Sequence, residues 1–475
     1  MKPSSNRPVC GKPPAVPAGG LVRSLPPEAY LADFAGADFI DWFARCSAAA
    51  RCRVTRTPLT GLRRWRFDAD TGNLGHDSGA FFVVEGLEVR TGYGPVREWS
   101  QPIINQPEIG ILGMLVKEVD GVPYCLVQAK IEPGNHNGIQ VSPTVQATRS
   151  NYTRIHQGRS TRYLEYFTDP GAGRTLVDVL QSEQGSWFLR KRNRNMVVQV
   201  TEDVPAGEDH HWLPLPELRR LLRIDGLVNM DTRTVLACLP ADTFPASQPI
   251  PSGDAASALV LSTTGRGPAL NDTATVLRWF TGAKSRHELS AHRIPLRALP
   301  GWRSTPERIT HEDGRHFSII GVTAQVGNRE VAEWDQPLLH PEGRGVVAFV
   351  IKVIEGVAHL LVHARFQPGL LDGMEMGPTV QCVPENYPGG PPRFLDYVLN
   401  APRERVLYSA VLAEEGGRFY HSQNNYLLVE AGDDFPTAVP EDYCWMTAHQ
   451  LTLLLRHGYY VNVEARSLLA CLQSW

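Results

Sequence analysis

The sequence predicts an α+β protein built from two tandem copies of one module, each a mixed β-sheet flanked by helices. Three observations carry this. The chain repeats itself: residues 98–152 overlie 333–387 at a constant offset of 235 without a gap, and 20 of those 55 positions are identical. Each copy holds two apolar runs rich in branched residues on either side of a turn signal. Each copy also closes in leucines at helical spacing.

In chain order, residues 1–27 are rich in Pro, Gly and Ser and lack the apolar core of a signal peptide, which reads as a disordered leader. The first module spans 28–239. Its Trp42-Phe43, Pro58-Leu59 and Trp65 recur as Trp279-Phe280, Pro295-Leu296 and Trp302. The runs 109–118 and 124–131 flank Asp120-Gly121, and 346–354 and 359–366 flank Glu355-Gly356, so both pairs are expected as hairpins. Each second run ends in Pro-Gly, at Pro133 and Pro368, and a strand is expected over 141–147. RYLEY at Arg162 matches RFLDY at Arg393, Glu183 matches Glu414, and Asn193 matches Asn424. Segments 216–223 and 447–456 are expected as helices, and VNMDTRTVLACL from Val228 and VNVEARSLLACL from Val461 close the modules. Residues 240–270, rich in Pro, Ala, Ser and Gly, read as a linker to the second module at 271–475. Side-by-side packing and exchange of elements both remain open.

Composition narrows the function. Lys and Arg number 47 against 50 Asp and Glu, a net charge of −3, so no global field holds a polyanion and nucleic-acid binding is not expected. No apolar run approaches the roughly 20 residues of a membrane helix, and a soluble, cytoplasmic protein is expected. The eight cysteines contain no CxxC pair and read as reduced thiols. There is no P-loop, no GxSxG elbow and no HExxH; Gly171-Ala172-Gly173 lacks the third glycine of a dinucleotide fingerprint. No metal site is expected.

The densest polar cluster of the first module reads KIEPGNHNGIQVSPTVQATRSNY from Lys130. Thr144, Gln146 and Thr148 fall on one face of a strand, and a polar stripe within a sheet is costly unless hydrogen-bonded. It lines a pocket for a hydroxyl-rich ligand, or it is a solvent-facing edge. In the second module Gln140 becomes Glu375, Asn137 becomes Asp372, Gln128 becomes His363, and Glu132 becomes Gln367. Ionisable groups thus replace amides in one copy or the other, as division of labour after duplication would leave, or as drift would. The pairs Trp65 with Trp99 and Trp302 with Trp334 fill core, or stack a nucleobase. Arg149, Arg154, Arg159 and Arg162 hold a diphosphate, or sit on a solvated loop.

These segments, with EWSQP at Glu98 and GPTVQC at Gly377, resemble the NDP-hexose 2,3-dehydratases, and the resemblance runs through both modules. It implies an enzyme of deoxysugar and antibiotic biosynthesis that eliminates water across C-2 and C-3 of dTDP-4-keto-6-deoxy-D-glucose. The product would be dTDP-3,4-diketo-2,6-dideoxyglucose, passed to a 3-ketoreductase. It also implies two Nudix-like modules in a homodimer. The glutamate-rich Nudix box is missing from both copies, so metal-dependent diphosphate hydrolysis is not expected. The C-4 ketone acidifies the C-3 hydrogen, so a positioned base suffices and no cofactor is expected. Glu375, His363 and Tyr397 are the candidate acid and base in the second module, with Glu132 and Tyr152 in the first. Candidates for substrate binding are Trp65, Trp99, Gln101, Lys117, Asn137, Gln140, Thr144, Gln146, Thr148, Arg149, Asn151, Arg162, Trp302, Trp334, Lys352, Thr379, Gln381, Asn386 and Tyr387. A non-catalytic nucleotide-sugar binding protein is the competing expectation.

Overall fold

The structure is a computed structural model that describes residues 28–152, 160–240, 243–244, 254–327, 332–387 and 390–474. The expected leader, parts of the expected linker, Arg154 and Arg159 lie outside the described residues, as do the side chains of Asn151 and Tyr152.

Each module is centred on a seven-stranded mixed sheet. In the first, strands Arg174–Ser182, Arg192–Gln199, Gly110–Val119, Val122–Ile131 and His210–Pro214 lie in that order, with Ile139–Ser142 beside Val122–Ile131 and Val145–Ala147 beside Gly110–Val119. The second repeats every pairing with Val406–Ala413, Gln423–Glu430, Gly345–Ile354, Val357–Phe366, Tyr443–Met446, Met374–Gly377 and Val380–Cys382. The expected hairpins form. Asp120 and Gly121 take φ of 50° and 76°, and Glu355 and Gly356 take 50° and 78°, the paired left-handed conformations whose twist matches that of the strands.

The expected strand over 141–147 is two strands. Pro143, which cannot donate to a ladder, breaks it, and the next residue stitches the gap. Thr144 Oγ accepts from Leu115 N at 2.9 Å and donates to Leu126 O, and Thr379 Oγ accepts from Val350 N at 2.9 Å and donates to Leu361 O. The PTVQ repeat is therefore an internal seam rather than a solvent-facing edge, and both threonines are buried.

The modules exchange strands. Cys52–Thr57 of the first pairs with Phe317–Val326 of the second, and Leu289–Ile294 of the second pairs with Val83–Thr91 of the first. Each five-stranded sheet is thus completed by the other module's opening strand. A side chain would obstruct both crossings: a Cβ on Gly86 would lie 2.8 Å from Ile294 O, and one on Gly321 would lie 2.4 Å from Thr57 O.

Helices Met230–Ala237 and Val463–Leu472 pack against each other where the modules meet, N-capped by Asn229 and Asn462. Each sends a fully buried arginine across. Arg233 donates to Ser467 Oγ and Ala413 O, while Arg466 donates to Thr234 Oγ1 and Ser182 O. Carbonyl and hydroxyl oxygens thus satisfy two guanidiniums that water cannot reach. The linker expectation needs correction: Asp254–Thr264 is a helix, with Ala258 and Leu259 in the core and Ser262 Oγ accepting from Ala448 N at 2.9 Å. Its Ala and Ser content masked a packed face. No described helix is long and apolar enough to cross a membrane.

Candidate active site

Two related clefts form where the Pro-Gly turn of one module meets a loop of the other. Gly134 N donates to Gly416 O at 2.7 Å and Gly134 O accepts from His421 N at 2.8 Å; Gly369 repeats this with Gly185 O at 2.7 Å and Arg190 N at 2.6 Å. A Cβ on Gly134 would stand 1.8 Å from Phe419 O, and one on Gly369 would stand 1.9 Å from Phe188 O. The repeated glycine allows the modules to touch backbone to backbone.

In the first cleft Glu132 is buried, and its Oε1 accepts from Gln146 Nε2 at 2.9 Å. Gln146 is held in turn by Ser142 Oγ at 2.8 Å and Asn229 Nδ2 at 3.0 Å, both donating to its Oε1, and by Lys130 Nζ, which donates to its carbonyl at 2.6 Å. Because Gln146 Oε1 accepts from two side chains, its amide presents the NH2 group to Glu132 and has a fixed sense. Around it stand Asp231 and Glu183, whose carboxyls burial raises above the usual range, and Lys191, whose ammonium burial lowers. From the second module come Glu415, which burial lifts to about 7, and His421, which burial and then the edge-on ring of His136 hold down to about 4.

The second cleft repeats the frame with other chemistry. Asn462 Nδ2 donates to Gln381 Oε1 at 2.8 Å, as Asn229 does to Gln146. Arg365 replaces Lys130, Gln367 replaces Glu132, Leu371 replaces His136, and the opposite loop brings Gln184 and Arg190 in place of Glu415 and His421. Both side-chain polar atoms of Gln367 lack a partner among the described residues. His363 Nε2 lies 2.7 Å from the Tyr93 hydroxyl of the first module, and its ring stacks on Tyr443 with centroids 4.2 Å apart. Burial, and then Arg365, push this imidazole down to about 3, so it is neutral.

The structure brings Lys130, Glu132 and Gln146 together, but it disperses the second module's candidates. Glu375 is buried, with Ser182 Oγ donating to one carboxyl oxygen at 2.6 Å and burial lifting it to about 7. The Tyr397 hydroxyl accepts from Gly432 N, beside Phe435. Glu375, His363 and Tyr397 share no hydrogen-bond partner among the described residues. Asn137 and Gln140 both donate to Gly226 O at 2.8 Å and so tie down their own loop. Lys117 lies over the Trp212 ring, 3.5 Å from Asp203, while Lys352 donates to Phe435 O at 2.6 Å. Trp65 and Trp302 donate to Asp335 O and Ser100 O within the apolar core between the modules. Trp99 donates to Gln101 Oε1, Gln101 donates to Ser186 O, and Trp334 donates to Gln336 Oε1. Thr148 pairs with Ser150, Arg162 lies 3.6 Å from Asp209, Asn386 Oδ1 accepts from His316 N, and Tyr387 is exposed. Arg149 opens the short helix Arg149–Tyr152.

Sequence reasoning passed over Asp231, Lys191 and Glu415. The signal for Asp231 was present: the repeated closing segment carries an acid two residues after its asparagine, Asp231 in one copy and Glu464 in the other.

A model of the NDP-hexose 2,3-dehydratase family matches residues 36–239 and 273–472. The chain is 53% identical over 449 residues to a dTDP-4-dehydro-6-deoxy-α-D-glucopyranose 2,3-dehydratase of Streptomyces violaceoruber, covering 94% of this chain and 98% of that protein. Proteins of the same name from Saccharopolyspora spinosa and Amycolatopsis orientalis are 49% and 48% identical over 442 residues each, covering 92% and 91% of this chain and 91% and 89% of theirs.

Proposed function

Because this chain belongs to the NDP-hexose 2,3-dehydratase family, we propose that it removes water from C-2 and C-3 of dTDP-4-keto-6-deoxy-D-glucose, and that the first cleft does so. One observation supports that cleft: it holds Glu132, His136 and Glu415 where its twin holds Gln367, Leu371 and Gln184. Elimination needs groups that gain and lose protons, which amides and leucine cannot do.

The C-4 ketone makes the C-3 hydrogen acidic, and the Glu132 carboxylate removes it, oriented by the Gln146 amide. The negative charge that develops on the C-4 oxygen is stabilised by donors fixed beforehand, and Lys130, held to Gln146 O, is the cation assigned to it in this reading. Expulsion of the C-2 hydroxyl leaves a 3-hydroxy enone, which tautomerises to the 3,4-diketone. In this reading the protein is a cytoplasmic homodimer and a 3-ketoreductase consumes the diketone, because a vicinal diketone is reactive and needs prompt reduction.

The test is incubation with dTDP-4-keto-6-deoxyglucose and EDTA, without added metal or nicotinamide, followed by mass spectrometry beside a no-enzyme control. Loss of one water is expected. Intact substrate with tight dTDP binding would instead support the binding-protein alternative.

A further inference from the structure

The dehydratase reading leaves the departing C-2 hydroxyl without a proton donor. Gly417 lies in the loop that the second module lends to the first cleft. A carbon built on it would stand 3.1 Å from Glu415 Oε1 and 3.2 Å from Glu132 Oε1. Two carboxyl oxygens, one from each module, therefore lie close together over the same face of residue 417, where a methyl group would crowd both. No hydrogen bond to the Glu415 carboxyl is present among the described residues, which leaves it able to turn toward a ligand. The other cleft changes all three positions at once: Gln367 stands for Glu132, Gln184 for Glu415 and Ser186 for Gly417.

We propose, resting on the dehydratase reading above, that Glu415 is a catalytic residue donated by the second module, the general acid that protonates the C-2 hydroxyl while Glu132 serves as base. Glu132 takes the C-3 hydrogen as a proton, and the C–H pair forms the C-3–C-4 double bond with charge on the C-4 oxygen. As the C-4 carbonyl re-forms, that pair moves between C-2 and C-3 and the C-2–O bond breaks. The departing oxygen takes the Glu415 proton and leaves as water. Glu132 ends protonated and Glu415 ionised, and exchange with solvent restores both. The enol then loses its hydroxyl proton and gains one at C-2. Burial keeps Glu415 protonated near neutral pH, as an acid requires.

The full-length chain in deuterated water separates the two roles, with dTDP-4-keto-6-deoxyglucose as substrate and deuterium at C-3 of recovered substrate as readout. Glu415→Gln should cut water loss by about a hundredfold or more while C-3 exchange persists, and Glu132→Gln should abolish both. Gly417→Ala is an independent variant whose methyl would press on both carboxyls; it should lower water loss while dTDP binding stays intact. Undiminished water loss in Glu415→Gln would overturn the assignment, as would loss of C-3 exchange in that variant with dTDP binding preserved. If the unaltered chain leaves the substrate intact, the dehydratase reading itself fails.

Discussion

Replacing Glu375 by glutamine asks whether burial alone governs a carboxyl that lies outside the first cleft. Ser182 donates to one of its oxygens, and the other has no donor among the described residues. Burial moves its titration from 4.5 to about 7. Between those values the folded chain keeps a proton that the unfolded chain has released. Stability therefore falls as pH rises through this window and is lowest once the buried group is ionised. At about 1.4 kcal/mol for each pH unit, the window corresponds to roughly 3 kcal/mol. Glutamine keeps the shape and removes the titration. Its amide adds an offset that does not vary with pH, so the change between pH values carries the result. Because the exchanged strands make the two modules one folding unit, thermal melts of both proteins at pH 5 and pH 8 should show the variant gaining on the parent at pH 8 by a few degrees, at about 1 °C per kcal/mol. A difference in Tm that is the same at both pH values would refute the reasoning.

Other outcomes follow from the same contacts. Gly134→Ala and Gly369→Ala should each destabilise the fold by more than about 3 kcal/mol, read by urea titration, because the clash is with backbone that cannot rotate away. Thr144→Val should cost about 1–3 kcal/mol by the same titration, since Leu115 N and Leu126 O both lose their partner. The rate of water loss should fall as pH rises through about 7, because Glu415 must be protonated to act, and Glu415→Gln should flatten that limb of the profile.

Local chemistry was legible in the chain. Asp-Gly and Glu-Gly between branched apolar runs select one hairpin geometry, and both hairpins are present. Gln146 stood out because a polar stripe inside a sheet demands partners, and its partner proves to be Glu132, the candidate acid or base of the first module. The exchange of opening strands was not legible, since a strand carries the same alternation whichever sheet receives it. Pro143 was a visible break that the polar alternation around it obscured. Glu415 could not be placed from local pattern, because hundreds of residues separate it from Glu132 and the contacts of Gly134 with Gly416 and His421 bring the two loops together.

The exchanged strands set an order of events during synthesis. Residues 83–91 leave the ribosome long before Leu289–Ile294, which must lie beside them, and Cys52–Thr57 waits still longer for Phe317–Val326. Until then the nascent first half exposes one unpaired sheet edge and one orphan strand, each complementary to the same parts of a neighbouring chain on the same message. Closing loops of this length is slow compared with local hairpin formation. The chain therefore favours conditions in which each nascent copy completes itself before it meets another, and crowded expression should yield interlocked oligomers whose modules are each correctly folded.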